Sequence, residues 1–317
     1  MDIEYLLFLQ NLRNGVLSWL SPAALWVSNF TAGFIPLCII CLIYWVWDRK
    51  SGKSILFGYG LGVLLNGFLK LLFCVYRPWI RDTRVEPYGD SKSTATGYSF
   101  PSAHCTYATT QVGGIGYWLR NKSRIVSIIC YVITVFLLFS RNFLGVHAPQ
   151  DVLVGFLSSV LMMYCAYKID KWTDEDTKRD KTVMIAGLVL CVVLTLFYQF
   201  KSYPLTYLDD GSLLVDPAKM KADSFEGIGF IASFVICRYA ERRYFKFDEN
   251  VSLKKRLIIG LVACIPFAWW KTNAVSIFTA LVGRGAAKFI CFSVIPLFVM
   301  IIVPWIMCTF FADKKEK

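Results

Sequence analysis

The feature that most constrains this chain is a series of apolar runs, separated by short charged connectors. Each run is close to the ~20 residues that a helix needs to cross a hydrocarbon layer. Hydrophobic residues make up 56% of the chain, charged residues only 18%, and the mean hydropathy is +0.52. The runs are 31–47, 53–76, 103–119, 124–140, 150–168, 182–200, 225–240, 256–270 and 285–310. The sequence therefore predicts an all-α, polytopic transmembrane helical bundle of about nine spans.

The net charge of +12 is concentrated in short connectors between these runs. Lys and Arg favour the cytoplasmic side of a membrane. We therefore predict a cytoplasmic position for the connectors 48–53, 120–124, 168–181 and 241–256 and for the C-terminus, 313–317. The connectors 77–102, 141–149, 201–224 and 271–284 then share the extracytoplasmic side. This distribution indicates the lipid bilayer as the partner, in the plasma membrane, and argues against nucleic-acid binding.

The chain divides by composition into three segments. Residues 1–30 mix apolar residues with polar ones such as Gln10 and Arg13, which is typical of a helix lying in the membrane interface. Residues 31–181 contain the motifs described below and are predicted to form a catalytic membrane core. Residues 182–317 are predicted to be an additional transmembrane region without an ionisable site, which buttresses the core or shapes substrate access.

The eleven cysteines lie mostly within the apolar runs, where buried free thiols are expected. The one close pair, Cys38 and Cys41, has no histidine nearby in the sequence, as a zinc site would normally require. We predict no metal site and no cofactor. The sequence gives no indication of oligomeric state.

Two cations interrupt or follow the second run. Lys70 lies within it, and an ionisable group in a span costs ~3 kcal/mol on insertion scales. Arg77 follows seven residues later, close to two helical turns, so both side chains can address one site. Pro78 then disfavours continuation of the helix. Taken alone, the two residues could also be basic side chains reaching for the interface at a helix end.

The segment Phe100 to His104 reads Phe-Pro-Ser-Ala-His and opens the third run. Ser102 is a candidate N-cap, and a helix N-terminus is a natural anion-binding site. His104 lies in the first turn, although in isolation it could be an interfacial histidine without a function. The polar loop from Trp79 to Phe100 is long for a compact bundle, which is typical of a lid or a binding segment, with a disordered turn as the alternative.

A third polar stretch, from Ser140 to Asp151, contains the second of the two histidines, His147. Pro149 favours a helix start. A short turn between His147 and Asp151 would let the carboxylate accept a hydrogen bond from the imidazole, which fixes its tautomer and leaves the other ring nitrogen free to attack. Asp151 could alternatively be only a helix cap.

Considered together, these residues provide a cluster of cations, two histidines and a carboxylate on the same predicted side of the membrane. Transfer of a phosphoryl group requires cations around the phosphate oxygens and aligned attacking and leaving groups, which this set supplies without a metal ion. The sequence indicates phosphoryl-transfer chemistry.

The three stretches resemble the signature of the type 2 phosphatidic acid phosphatase and vanadium haloperoxidase superfamily. Order and spacing agree throughout the matching residues, which are Lys70, Arg77, Pro78, Pro101, Ser102, His104, Ser140, Arg141, His147 and Asp151. The resemblance implies a six-helix catalytic core. Ala103 stands where the family usually has Gly. The motif therefore does not determine whether a bulky substrate fits beside the backbone N–H of this residue.

The resemblance also implies a role for each matching residue. His147 is expected to attack phosphorus, Asp151 to orient it, and His104 to protonate the leaving oxygen. The expected phosphate-binding residues are Lys70, Arg77, Ser102, Ala103 and Arg141. Water then hydrolyses the phospho-histidine.

We therefore predict a metal-independent membrane phosphatase that hydrolyses a phosphate monoester or diphosphate of a lipid on the extracytoplasmic side. A lipid phosphotransferase would use the same first step. A phosphatase for a soluble sugar phosphate is compatible with the number of spans, and an anion-binding transporter is the alternative from another class. A haloperoxidase shares the site but is typically soluble.

Overall fold

The computed structural model describes residues 1–245 and 251–313. The regular secondary structure of this part is helical apart from one isolated β-bridge, Tyr207 to Leu213. This confirms the predicted all-α class. The α-helices are α1 (Asp2–Asn14), α2 (Ser21–Ala32), α3 (Ile35–Leu42), α4 (Arg49–Phe73), α5 (Pro78–Arg81), α6 (Ala103–Tyr107), α7 (Gly114–Leu119), α8 (Arg124–Phe143), α9 (Pro149–Glu175), α10 (Arg179–Phe200), α11 (Pro217–Arg243), α12 (Leu253–Val282), α13 (Arg284–Leu297) and α14 (Val303–Phe310). The shorter elements are the 3-10 helices Ser18–Leu20 and Gly89–Lys92 and the π-helical turns Ile43–Trp47, Ala108–Gly113 and Phe298–Ile302.

Six helical stretches in the described residues are long and apolar enough to cross a membrane, and a pair bent by 47° would make a seventh. The six are Arg49–Arg81, Arg124–Phe143, Pro149–Glu175, Arg179–Phe200, Leu253–Val282 and Arg284–Phe310, and the bent pair is Ser18–Ala32 with Ile35–Trp47. The two remaining predicted runs are helical as well. Residues 103–119 form α6, a π-helical turn and α7, whereas 225–240 belong to α11, which carries many charged side chains.

Helix α4 is at the centre of the bundle. In the stretch that contains it, 61% of the most apolar 18 residues are buried, against 17 to 44% in the other five stretches. It packs antiparallel to α11 through small residues and stacked rings. The rings of Phe57 and Phe234 stack with centroids 4.8 Å apart. Closer to the other end of the pair, Gly227 lies directly against the backbone of Leu64. Such close approach of two helices is typical of glycine contacts in membranes.

A buried charged group joins α9, α10 and α11 at the end of α9 that lies farthest from Pro149. The guanidinium of Arg238, 1% exposed, donates to Asp170 and, at 3.1 Å, to Asp180. Charges removed from water are tolerated when they are paired in this way. Asp170 lies ~30 Å along α9 from Asp151, at 1.5 Å per residue, so this group is remote from the predicted site.

The predicted segments 1–30, 31–181 and 182–317 stay a prediction. Within the first of them, the chain forms two helices, α1 and α2, with a 3-10 turn between them. All eleven cysteines are free thiols, as predicted, but only six of them are buried and five are partly exposed.

Substitution of Gly227 by Ala should destabilise the bundle. A Cβ at this position would lie 2.6 Å from the Cα of Leu64, so the two helices must move apart. Overpacking of this kind costs about 1–3 kcal/mol, and we expect a lower midpoint of thermal unfolding in detergent. Gly285→Ala is the matched control, because its Cβ would meet its nearest atom at an ordinary 3.7 Å. Equal midpoints for the two variants would contradict the close packing of α4 against α11.

Candidate active site

The end of α4 brings Lys70 and Arg77 to one place. The helix ends at Phe73, and Cys74 adopts a left-handed backbone conformation with φ of 50°. Lys201 stabilises this end by donating to the carbonyl of Leu72 at 2.8 Å. Residues 74–77 are not helical, and Pro78 then starts α5. The predicted break before Pro78 is therefore present.

Both cations hold the last part of the loop 77–102. The ammonium of Lys70 donates to the carbonyls of Tyr98 (3.1 Å), Ser99 (3.3 Å) and Pro101 (2.7 Å). The guanidinium of Arg77 donates through Nε to Gly97 O at 3.1 Å and through a terminal nitrogen to Thr96 O at 3.2 Å. Buried cations need such acceptors, so the loop conformation depends on both.

Arg77 also contacts His147. One of its terminal nitrogens lies 2.8 Å from Nε2 of the imidazole and 3.0 Å from the carbonyl oxygen of Val146. A guanidinium can only donate, so Nε2 of His147 accepts and is unprotonated. The ring proton of the neutral imidazole is then on Nδ1. His147 therefore presents a nucleophilic nitrogen toward Arg77.

The carboxylate of Asp151 is the nearer partner of the other ring nitrogen. Its Oδ2 is 3.3 Å from Nδ1 of His147, accepts a hydrogen bond from the backbone N–H of Ala148 at 2.9 Å, and accepts a further one from Ser99 Oγ. Asp151 is the third residue of α9, which starts at the predicted Pro149. The carboxylate is therefore both a helix cap and a partner of the histidine, so the two roles considered for it from the sequence are combined in one side chain.

His147 is 1% exposed and lies in the turn between α8 and α9. Burial lowers its pKa well below the ordinary value of 6.5, and the positive charges of Arg77 and Arg141 lower the pKa further. The imidazole is consequently neutral at physiological pH, the state in which it can act as a nucleophile.

The second histidine is buried at the same end of the bundle. Ser102 precedes α6, and its backbone N–H donates to the carbonyl of Asp151 at 3.0 Å, which brings the start of α6 against the start of α9. Gly155 makes this possible, since a Cβ there would lie 2.9 Å from the carbonyl oxygen of Ser102. Among the described residues, neither Ser102 Oγ nor His104 Nε2 has a hydrogen-bond partner.

Ala103 is the first residue of α6. Its N–H is among the first N–H groups of the helix, which have no partner inside the helix. Its backbone is outside the left-handed region, since Cys74 is the one non-glycine residue of the described chain with positive φ. An alanine is therefore accommodated without strain at this position.

Arg141 reaches the site from the last turn of α8 and is fully buried. One terminal nitrogen donates to the hydroxyl of Ser28 on α2. Within the described chain, its Nε and its other terminal nitrogen have no partner. The guanidinium thus retains donors for an anion.

The N-terminal helix α1 covers the polar loop. Arg13, 4% exposed, donates to the carbonyls of Glu86 (2.7 Å) and Phe143 (3.0 Å). Gln10 exchanges two hydrogen bonds with the loop backbone, at Arg84 and Glu86. The loop is therefore an ordered segment that is held between α1 and the cations of α4.

The structure brings all eight predicted site residues to one end of the bundle, although no hydrogen bond joins His104 to His147 in the described chain. Sequence reasoning missed the contacting residues Ser28, Ser99 and Arg13. Ser99 lies two positions before Pro101, and its partner Asp151 is 52 positions away, so no local pattern indicates this contact. Ser28 and Arg13 contact residues more than 70 positions away, which no local pattern indicates.

Residues 51–175 match the PAP2 superfamily. The chain is 30% identical over 170 residues to phosphatidylglycerophosphatase B of Bacillus subtilis, which covers 51% of this chain and 78% of that protein. It is 26% identical over 137 residues to undecaprenyl-diphosphatase of Sulfolobus acidocaldarius, covering 43% of this chain and 63% of the relative. No solved structure matches the chain. The matched segment contains every predicted site residue, and the chain belongs to the PAP2 superfamily.

Proposed function

We propose that this enzyme, a phosphoric ester hydrolase, removes a terminal phosphate from a lipid phosphate monoester or diphosphate through a phospho-histidine on His147. The observation that carries the proposal is the position of the His147 ring, between Arg77 at Nε2 and Asp151 at Nδ1. One nitrogen is fixed as the nucleophile and the other is held by a carboxylate. This is the arrangement that phosphoryl transfer to an imidazole requires.

In the first step, the lone pair of His147 Nε2 forms a bond to phosphorus as the bond from phosphorus to the leaving oxygen breaks. His104 gives a proton to that oxygen, and Asp151 stabilises the positive charge that develops on the His147 ring. Arg77 exchanges its bond to Nε2 for a phosphate oxygen as the substrate binds. The remaining donors for the phosphate are Arg141, Ser102 Oγ, the N–H of Ala103 and the ammonium of Lys70.

In the second step, water attacks phosphorus and gives a proton to His104. The bond between phosphorus and Nε2 breaks, and inorganic phosphate leaves with His147 again neutral. His104 therefore loses a proton in the first step and regains one in the second. No cofactor takes part in this scheme.

A lipid substrate is supported by the membrane helices and by the relatives, whose names describe phosphatases of phosphatidylglycerophosphate and undecaprenyl diphosphate. A phosphotransferase would differ only in replacing water by a lipid or glycan acceptor. A soluble sugar phosphate would undergo the same two steps at this site. An anion transporter would use the cations but would need no nucleophile, so the tautomer of His147 favours a reaction over transport.

The proposed membrane orientation follows from charge. The connectors 48–53, 120–124 and 168–181 lie at the helix ends remote from the site, and their Lys and Arg residues favour the cytoplasm. The site then faces the extracytoplasmic side of the plasma membrane, and the C-terminus is cytoplasmic. Residues 246–250 of the fourth basic connector and residues 314–317 of the tail lie outside the described residues.

Substitution of His147 by Ala should abolish phosphate release, because the nucleophile is lost. The assay uses purified enzyme in detergent with a chelator and a substrate panel of phosphatidate, phosphatidylglycerol phosphate, polyprenyl diphosphate, sphingoid phosphate and glucose 6-phosphate. Quenching of the wild type in alkaline detergent, where a phosphorus–nitrogen bond is stable, should trap phosphate on histidine, and His104→Asn should slow turnover. Normal turnover by His147→Ala would refute the mechanism, whereas phosphorylated acceptor in place of free phosphate would identify a phosphotransferase.

The chain has only two histidines, so the lowered pKa of His147 can be measured directly. Labelled histidine should give two imidazole signals in NMR spectra of the enzyme in detergent, and His104→Asn assigns the remaining one to His147. Because burial and the two arginines disfavour the charged ring, we expect this signal to stay neutral, with its proton on Nδ1, as the pH falls below 6.5. A midpoint at or above 6.5 would show that the ring is not buried beside these cations.

Substitution of Ser28 by Ala should weaken binding of a phosphate-like anion, because Arg141 loses the acceptor that orients it. Orthovanadate resembles the phosphoryl group in its transition state. We expect its inhibition constant to rise about tenfold, which is the effect of losing one hydrogen bond to a charged group. Ser28→Thr keeps the hydroxyl and should restore inhibition. A lower thermal midpoint with unchanged vanadate inhibition would instead indicate a purely structural role for Ser28.

A further inference from the structure

A second group of charged side chains lies beside the catalytic helices, in the region where the sequence indicated no ionisable site. It is formed where α11, α12 and α13 meet, and its members are Asp223, Glu226, Lys271, Arg284 and Lys288. Three of these side chains are cations and two are carboxylates. The group therefore has one positive charge in excess.

Most members of this group are paired. Lys288 Nζ lies 3.1 Å from a carboxylate oxygen of Glu226, and Arg284 lies 2.7 Å from Asp223. The other oxygen of Glu226 accepts a hydrogen bond from the hydroxyl of Tyr107 at 3.3 Å. Glu226 thus fixes both Lys288 and Tyr107, while Lys271 is near enough to feel its charge but forms no ion pair with it.

Lys271 is the cation in excess. Within residues 1–245 and 251–313 its ammonium has no hydrogen bond or ion pair, and its contact is with the ring of Phe292, 4.5 Å from the centroid. Lys288 lies 5.4 Å from the centroid of the same ring, so both ammonium groups are next to one aromatic side chain. An ammonium within a span and without its own carboxylate is costly, and an anionic ligand would offset that cost.

Tyr107 connects this group to the catalytic site. It lies one turn after His104 on the same stretch of helix, and the two rings are 6.4 Å apart. Since His104 is the proposed donor to the leaving oxygen, the charged group lies on the leaving-group side of the scissile phosphate.

The charged group also lies deeper along α4 than the phosphate-binding cations. Packing of Gly67 against Ser224 and of Leu64 against Gly227 sets Glu226 one to two turns from Lys70, toward the start of α4. In a lipid phosphate, whatever follows the terminal phosphate lies toward the tail and therefore deeper in the bilayer. A substrate head that continues from the scissile phosphate toward the tail would therefore run from His104 toward Lys288.

We propose that Lys271 and Lys288 form a subsite for a second phosphate group of the substrate, located between the scissile phosphate and the lipid tail. The proposal rests on the proposed function and narrows its substrate class to lipids with two phosphates in the head. The second phosphate could be bonded directly to the first, as in a diphosphate, or through a spacer, as in a phosphodiester. Two ammonium groups beside one aromatic ring suit either arrangement.

The test compares kcat/KM for three lipids in the same detergent micelles. Phosphatidate has one phosphate, polyprenyl diphosphate has two directly bonded, and phosphatidylglycerol phosphate has two joined by glycerol. The wild type should prefer at least one two-phosphate lipid over phosphatidate, and the preferred lipid identifies the source of the second phosphate. Lys271→Met should reduce that preference about tenfold, the effect of one charge-assisted hydrogen bond.

Lys271→Arg keeps the charge and should retain the preference, which separates lost charge from misfolding. Lys254→Met is the control on the same helix, because this lysine is exposed at the start of α12. Absence of a preference in the wild type would overturn the proposal, as would an equal loss for all three lipids in Lys271→Met. Failure of the wild type to hydrolyse any of them would instead contradict the proposed function itself.

Discussion

Burial of cations away from water is the constraint on which the rest of this site depends. Lys70, Arg77 and Arg141 are 9%, 4% and 0% exposed, and an unpaired charge in such surroundings is not tolerated. Backbone carbonyls satisfy the first two, and a hydroxyl from α2 satisfies part of the third. The loop before α6 takes its conformation because these donors require acceptors, so the cations organise the protein before any anion is bound.

The same requirement determines the state of His147. Arg77 approaches one ring nitrogen as a donor, which leaves the ring proton to the nitrogen beside Asp151. Asp151 in turn is held by Ser99 and by the N–H of Ala148. Both partners of the imidazole are thus held by the end of the loop 77–102 and by the turn around His147. Preorganisation of this kind reduces the rearrangement that a reaction needs to the exchange of one hydrogen bond at Arg77.

The sequence predicted what depends on helical periodicity and on local rules. Pro149 begins α9 and the apolar runs are helices, so the class of fold and the family were within reach. The expected two-turn helical spacing of Lys70 and Arg77 is wrong, because α4 ends at Phe73 and Arg77 reaches the site from the non-helical residues before α5. Ser28 and Ser99 were not, because their partners lie 113 and 52 positions away and hydroxyls occur throughout the chain. Lys271 was missed because its neighbours belong to two other helices, and no spacing within α12 indicates where those helices pack.

The helices after residue 181 are packed into the same core as the matched segment, since α11 lies along α4 from Phe57 to Gly67. This packing brings charges from outside residues 51–175 against Tyr107, whose ring is 6.4 Å from that of His104. The proposed nucleophile and the proposed phosphate donors all come from within that segment, whereas the proposed second subsite does not. Chemistry and substrate selection would then be encoded by separate stretches of sequence, so one catalytic segment can serve different lipid heads when it is combined with different surrounding helices.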